Sequence, residues 1–138
     1  MIEGWDGDDY LLLFSGEEVQ SASEGYGIAT LLPGYRIVGL RGWDDFIVQD
    51  KNGDTFTVPT VPCDLEYLAQ FRVPSAQELV ADARFAGKVK WYIKPIVFGG
   101  DPAANENITW VTPAQHVECV RWWNTLYRDL TASRGAAR

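Results

Sequence analysis

The chain holds one histidine, two cysteines and one methionine in 138 residues. Each scarcity closes off a kind of chemistry. A lone histidine, His116, gives no metal cluster of the usual spacing; the sequence marks no Ser/His/Asp set around it, and no G-x-S-x-G motif is present. It falls on the first turn of the last predicted helix and reads as a surface or helix-start residue. Cys63 and Cys119 are far apart, outside metal-ligand spacing and without local partners that would mark a thiolate nucleophile. They read as two buried thiols of a reduced, cytoplasmic protein, with Cys119 in a helix core. No apolar run approaches the roughly 20 residues needed to span a bilayer. The opening MIEGWDGDDY has neither a basic n-region nor an apolar h-region, and Leu11–Phe14 is too short for either role. The glycine-rich phosphate loop ending in GK[ST] is absent, and nothing implies a cofactor.

Basic residues are missing from the first quarter. Residues 1–35 carry seven acids (Glu3, Asp6, Asp8, Asp9, Glu17, Glu18, Glu24) and no Lys or Arg, while residues 36–138 hold twelve of each sign. The whole net charge of −7 therefore sits in one segment. A negative field of this kind disfavours nucleic acid and anionic membranes and favours a basic partner. The plainer reading is an acidic surface that keeps the chain soluble.

Aromatics are abundant: six Trp, six Tyr and six Phe, enough for a firm core. At this length one domain over 1–138 is expected, with 134–138 as a frayed tail. The strongest local signal lies in Tyr35–Pro62. Three runs rich in Ile, Val, Phe and Thr are separated by Arg41-Gly42 and by Lys51-Asn52-Gly53. This predicts a three-stranded antiparallel meander over about 35–40, 44–50 and 54–60. Apolar residues fall on both of its faces, so cover on both is expected. Further strands are expected at 88–93, 96–98 and 107–111, with Tyr10–Phe14 a strand or the start of a helix.

Helix starts are marked by capping boxes. Ser15-Gly16-Glu17-Glu18 predicts a short helix over 16–23, ended by Gly25 or Gly27. Ser75-Ala76-Gln77-Glu78 predicts one over 75–86. Thr112-Pro113-Ala114-Gln115 opens the longest, whose Val120, Trp123, Tyr127 and Leu130 share a face widened by Val117, Cys119, Trp122 and Leu126. Asp64 caps a helical turn at 63–68, or that stretch is a strand. The fold class is α+β: an antiparallel meander packed against two or three helices, the C-terminal one long.

Asp50–Asp54 and Trp5–Asp9 only faintly resemble calcium loops, and the hairpin explains the first. Gly99-Gly100-Asp101-Pro102 reads as a turn that needs glycine's backbone freedom, with a binding role as the alternative. Adjacent acids at Asp8/Asp9, Glu17/Glu18 and Asp44/Asp45 read as solvated charge.

The pieces LLFSGEEV, LPGYRIVGL and DDFIVQDKNGDTFTVPTVP, taken together, resemble the SUKH superfamily, which contains yeast cell-wall-regulator proteins and many bacterial toxin-immunity proteins. Leu32-Pro33-Gly34, Val38-Gly39, Asp50-Lys51-Asn52-Gly53 and Val58-Pro59 match its pattern, and Ser75–Leu79 stands where its later helix begins. The likeness covers about residues 10–85. The family's opening helices and Leu-Pro-x-x-Tyr motif have no counterpart here; a shortened member and a partial likeness both account for that. The resemblance implies a non-enzymatic immunity protein, an antitoxin that covers the surface of a cognate toxin. With the charge pattern, it nominates Trp5, Asp6, Asp8, Asp9, Trp43, Asp44 and Asp45 as contacts to a basic toxin surface. The alternative is a small enzyme or ligand-binding protein with its site at the Gly99–Asp101 turn.

Overall fold

A computed structural model describes residues 1–136. Its main sheet has six strands, each paired antiparallel with the next in sequence: β1 (Ile2–Asp6), β2 (Asp9–Leu13), β3 (Arg36–Arg41), β4 (Asp45–Gln49), β5 (Thr55–Pro59) and β6 (Ala69–Gln70). The expected meander is β3–β5. The β4–β5 turn is held by the Asp50 side chain, whose Oδ1 accepts the N–H groups of Asn52 (2.9 Å) and Asp54 (3.0 Å). Strand β1 went unpredicted. It joins β2 through the two-residue turn Gly7-Asp8, with Gly7 at φ 62°, a conformation that favours glycine.

Register partners share a face of the sheet. Trp5, Tyr10, Leu12, Leu40, Phe46, Val48 and Val58 therefore lie on one side. Helices α1 (Glu17–Tyr26) and α2 (Ile28–Leu31) and the long α3 (Pro113–Ala136) contribute Tyr26, Ile28 and Val120 to the same core. A second sheet, β7 (Val89–Tyr92) paired with β8 (Ile108–Val111), adds Val89 and Trp91. On the opposite side Leu11 and Ile47 are also fully buried. There the Arg41 guanidinium lies over the Phe71 ring, at the start of a strap that leaves β6 and reaches the β1 edge at Val80.

The Thr112 box forms completely: Thr112 Oγ1 accepts the Gln115 N–H (3.2 Å) and Gln115 Oε1 accepts the Thr112 N–H (2.9 Å). At Ser15 only half of the box forms, with Glu18 Oε1 accepting the Ser15 N–H at 3.2 Å, and α1 runs on to Tyr26 before Gly27 ends it. Asp64 caps a 3-10 turn at Leu65–Tyr67, which decides between helical turn and strand there.

Several expectations are corrected. No helix spans 75–86. The Ser75–Glu78 box caps a single 3-10 turn (Ala76–Glu78), after which the chain extends to pair with β1. Trp5 N–H donates to the Val80 carbonyl at 2.8 Å and Val80 N–H to the Trp5 carbonyl at 2.9 Å. Covering an open sheet edge outweighs a helix whose apolar stripe is only Leu79, Ala83 and Ala86. Ile96–Phe98 is a 3-10 turn with Ile96 half exposed, not a buried strand. On α3, Trp122 (61% exposed) and Leu130 (42% exposed) lie outside the packed face, whose centre is His116, Val120 and Asn124. Helix α3 is assigned as far as Ala136, and 137–138 lie outside the described residues.

Candidate functional site

The β3–β4 turn organises the site. Gly42 and Trp43 both have positive φ, 58° and 62°. A bulky side chain in the left-handed region costs on the order of 1 kcal/mol or more and persists only where its surroundings enforce it. Here the surroundings are aromatic. Trp43 stacks on Tyr10 (centroids 4.9 Å apart, planes 14° apart) and meets Trp5 and Trp110 edge-on at 6.3 and 5.3 Å. Phe85 closes the cluster, touching Trp5, Tyr10, Trp43 and Trp110 at 5.3–5.8 Å. Backbone bonds clamp the flanks, Gly42 N–H to the Tyr10 carbonyl and Thr60 N–H to the Asp44 carbonyl, both 2.8 Å.

Beside this turn opens a cleft of about 370 Å³. Trp43, Asp44 and Asp45 form one wall, Pro59–Pro62 the floor, and Trp91, Tyr92, Pro95, Ile96 and Val97 the far wall, with Tyr67 at the edge. The floor is fixed from below by Asn124 of α3. Its Oδ1 accepts the Cys63 N–H (2.9 Å) and its Nδ2 donates to the Thr60 carbonyl (2.7 Å). The far wall is fixed by the glycine turn. Asn107 bonds the Lys94 N–H (2.8 Å) and carbonyl (3.0 Å). A Cβ on Gly100 would collide with the Lys94 carbonyl. The Gly99–Asp101 turn, with Gly99 at φ 91° and Asp101 Oδ1 accepting the Ala103 N–H at 2.9 Å, thus serves as scaffold for one wall.

The cleft's polar groups are acidic. Burial pushes the Asp44 carboxyl up to about 6, with Lys90 opposing, Asp45 adding and a hydrogen bond with Tyr92 opposing. Asp45 is likewise raised by burial, against Arg41 and with Asp9. Arg41 ion-pairs with Asp9 at 3.0 Å. Lys90 holds its ammonium 5.1 Å from the centre of the Tyr92 ring. Asp9, Asp44 and Asp45 against Arg41 and Lys90 leave one net negative charge at the corner.

Of the nominated residues, the fold brings Trp5, Asp9, Trp43, Asp44 and Asp45 to this corner. Asp6 and Asp8 stand exposed at the adjacent β1–β2 hairpin end. Trp5 is partly buried and engaged: its Nε1–H donates to Asp82 Oδ2 at 3.1 Å. Trp43 is 7% exposed, a buried wall rather than a protruding anchor, and its Nε1 has no hydrogen-bond partner among the described residues. The far wall escaped sequence reading because only tertiary packing sets residues 91–97 against 43–45. Asn124 was legible in principle, a polar residue eight after His116 on the packed face of α3.

His116 is not a surface residue. It is fully buried between Tyr26 and Trp91, with its Nδ1 2.6 Å from the Tyr26 hydroxyl. Burial lowers it to about 4, so it is neutral at physiological pH, and its Nδ1 shares a hydrogen bond with the tyrosine hydroxyl. Cys63 is buried, which pushes its thiol up to about 12, while Cys119 is half-buried; both are free. Among the described residues no three His, Cys, Asp or Glu side chains gather as a metal site would need, and no helix is long and apolar enough to cross a membrane. Compared with known protein families, characterised proteins and solved structures, the chain shows no significant match.

Proposed function

We propose that the chain is a non-catalytic binding protein, an immunity protein of the SUKH type that neutralises a basic cognate toxin by covering part of its surface. One observation carries the reading: an aromatic-walled cleft holds two half-buried carboxylates and is lined on its other side by the apolar residues Tyr67, Ile96 and Val97, 43–52% exposed. A concave apolar patch with a charged wall is the form of a partner-binding surface. The acidic β1–β2 hairpin beside it supports steering of a basic partner. The sequence likeness over residues 10–85 supplies the toxin.

Co-expression of the tagged chain with the product of the neighbouring gene tests this. The expected result is a stoichiometric complex on size exclusion and relief of that product's toxicity. Absence of both overturns the reading.

A second reading, a small ligand-binding protein or enzyme, draws on one observation: a carboxyl group at about 6 in a concave site is the form of a general acid or base. Its place would be the cleft. The Gly99–Asp101 turn is engaged in holding the far wall.

A further inference from the structure

The corner of the cleft is short of positive charge. Asp44 and Asp45 are both half-buried. Ionised carboxylates in such places are stable when paired. Arg41 is already engaged with Asp9, and the Lys90 ammonium lies over Tyr92. Lys90 shows the recognition mode within the chain itself: a cation on an aromatic face with a carboxylate in electrostatic reach. The cleft repeats those ingredients in concave form, with Trp43, Trp91 and Tyr92 as aromatic surface and Asp44 and Asp45 as anions. Its remaining lining, Pro59, Val61 and Pro95, suits the methylene stem of a long side chain.

We propose that the cleft receives a single cationic side chain, lysine or arginine, projected from an apolar segment of a basic partner protein. Asp44 is its counter-ion, within the cleft's aromatic lining. The partner as source of that cation rests on the binding-protein reading; the preference for a cation rests on the cleft alone. Two features select the occupant. The apolar lining at Tyr67, Ile96 and Val97 is itself 43–52% exposed, which offers contact to the segment that carries the side chain and fits it better than a free amine. A second copy of the chain is disfavoured by its net charge of −7, since like fields repel.

The test is an NMR titration of the ¹⁵N-labelled full chain at low salt with three blocked amino acids, the Nα-acetyl methylamides of lysine, arginine and norleucine. Norleucine keeps the stem and lacks the charge. The cationic probes are expected to shift the amides of Asp44, Asp45 and Tyr92 and the Trp43 indole resonance, binding about tenfold more tightly than norleucine. Asp44→Asn should weaken both cations by about tenfold and leave norleucine unchanged. Asp54→Asn, exposed at the β4–β5 turn and at the opposite end of that hairpin from the cleft, should change nothing. Affinity should also fall as the pH drops through about 6, where Asp44 takes a proton among Lys90, Asp45 and Tyr92, with Arg41 and Asp9 beside Asp45. Equal binding of norleucine, cation binding untouched by Asp44→Asn, or no shifts up to about 100 mM probe overturns the proposal. A toxin complex that forms and is not weakened by Asp44→Asn also overturns it and leaves the immunity reading standing. Cation binding in the cleft without any complex supports the site and removes the immunity reading.

Discussion

At neutral pH the His116 ring is uncharged and Asp44 is a carboxylate held where its charge is poorly solvated. Their linkages to folding have opposite signs. His116 falls from 6.5 to about 4 in the fold, so the unfolded chain binds the extra proton. Its contribution is full above 6.5 and is lost as the pH falls towards 4. Asp44 rises from 3.8 to about 6, so the folded chain binds the extra proton; its contribution is full below 3.8 and is lost as the pH rises through 6. Each effect is worth about 3 kcal/mol over its window, and between 4 and 6 they largely cancel. Asp44→Asn removes one of them. Urea denaturation should show the variant more stable than the parent above pH about 7 and steeper in its loss below about 6.5. A pH profile parallel to the parent's would contradict this. Tyr26→Phe leaves His116 Nδ1 buried without its hydrogen-bond partner and should cost about 1–3 kcal/mol, read in the same assay.

At the scale of elements, the connection between α3 and the cleft floor rests on one side chain. Asn124→Ala strips a buried donor and a buried acceptor of their partners and should cost about 2–4 kcal/mol by thermal or chemical unfolding. Thr112→Ala, which removes the N-cap of the same helix, should cost only about 1 kcal/mol. The contrast in size checks that Asn124 acts through tertiary bonds and not through helix propensity. These elements were unequally legible. The β3–β5 meander and α3 could be read because their turn residues and caps agree with their apolar periods. The 75–86 segment misled because a capping box marks where a helix starts and carries no information on whether it continues. There the competitor was a long-range partner, the β1 edge, and Ile2–Asp6 itself, with a glycine and two acids in five residues, gave little sign of being a strand. The apolarity of Ile96–Phe98 suggests a buried strand, yet Ile96 and Val97 line a surface cleft and Phe98 packs against Trp123.

At the scale of the whole molecule, the charge segregation seen in the sequence survives folding in part. Asp9 is used internally against Arg41, which leaves Asp6 and Asp8 as the free charges of the hairpin end. Replacing both with Asn should slow association with a basic partner and flatten its salt dependence while changing the dissociation rate little. Stopped-flow measurements across a salt series check this, and an unchanged slope would place the partner elsewhere. The candidate site was half legible: the Trp43-Asp44-Asp45 wall stands out as a run of functional residue types at a turn, whereas its counterpart at 91–97 depends on how β7 packs against the meander.

Trp91 occupies a position with an optical consequence. One side of its indole meets His116 edge-on at 5.5 Å, and the residue also lines the cleft. A protonated imidazole quenches a neighbouring excited indole, and a ligand entering the cleft changes the polarity around the same ring. Trp91 is thus an intrinsic fluorophore wired to two separate events. In a chain where the other five tryptophans are replaced by phenylalanine, its emission would dim as acid reaches the core and shift in wavelength as the cleft fills.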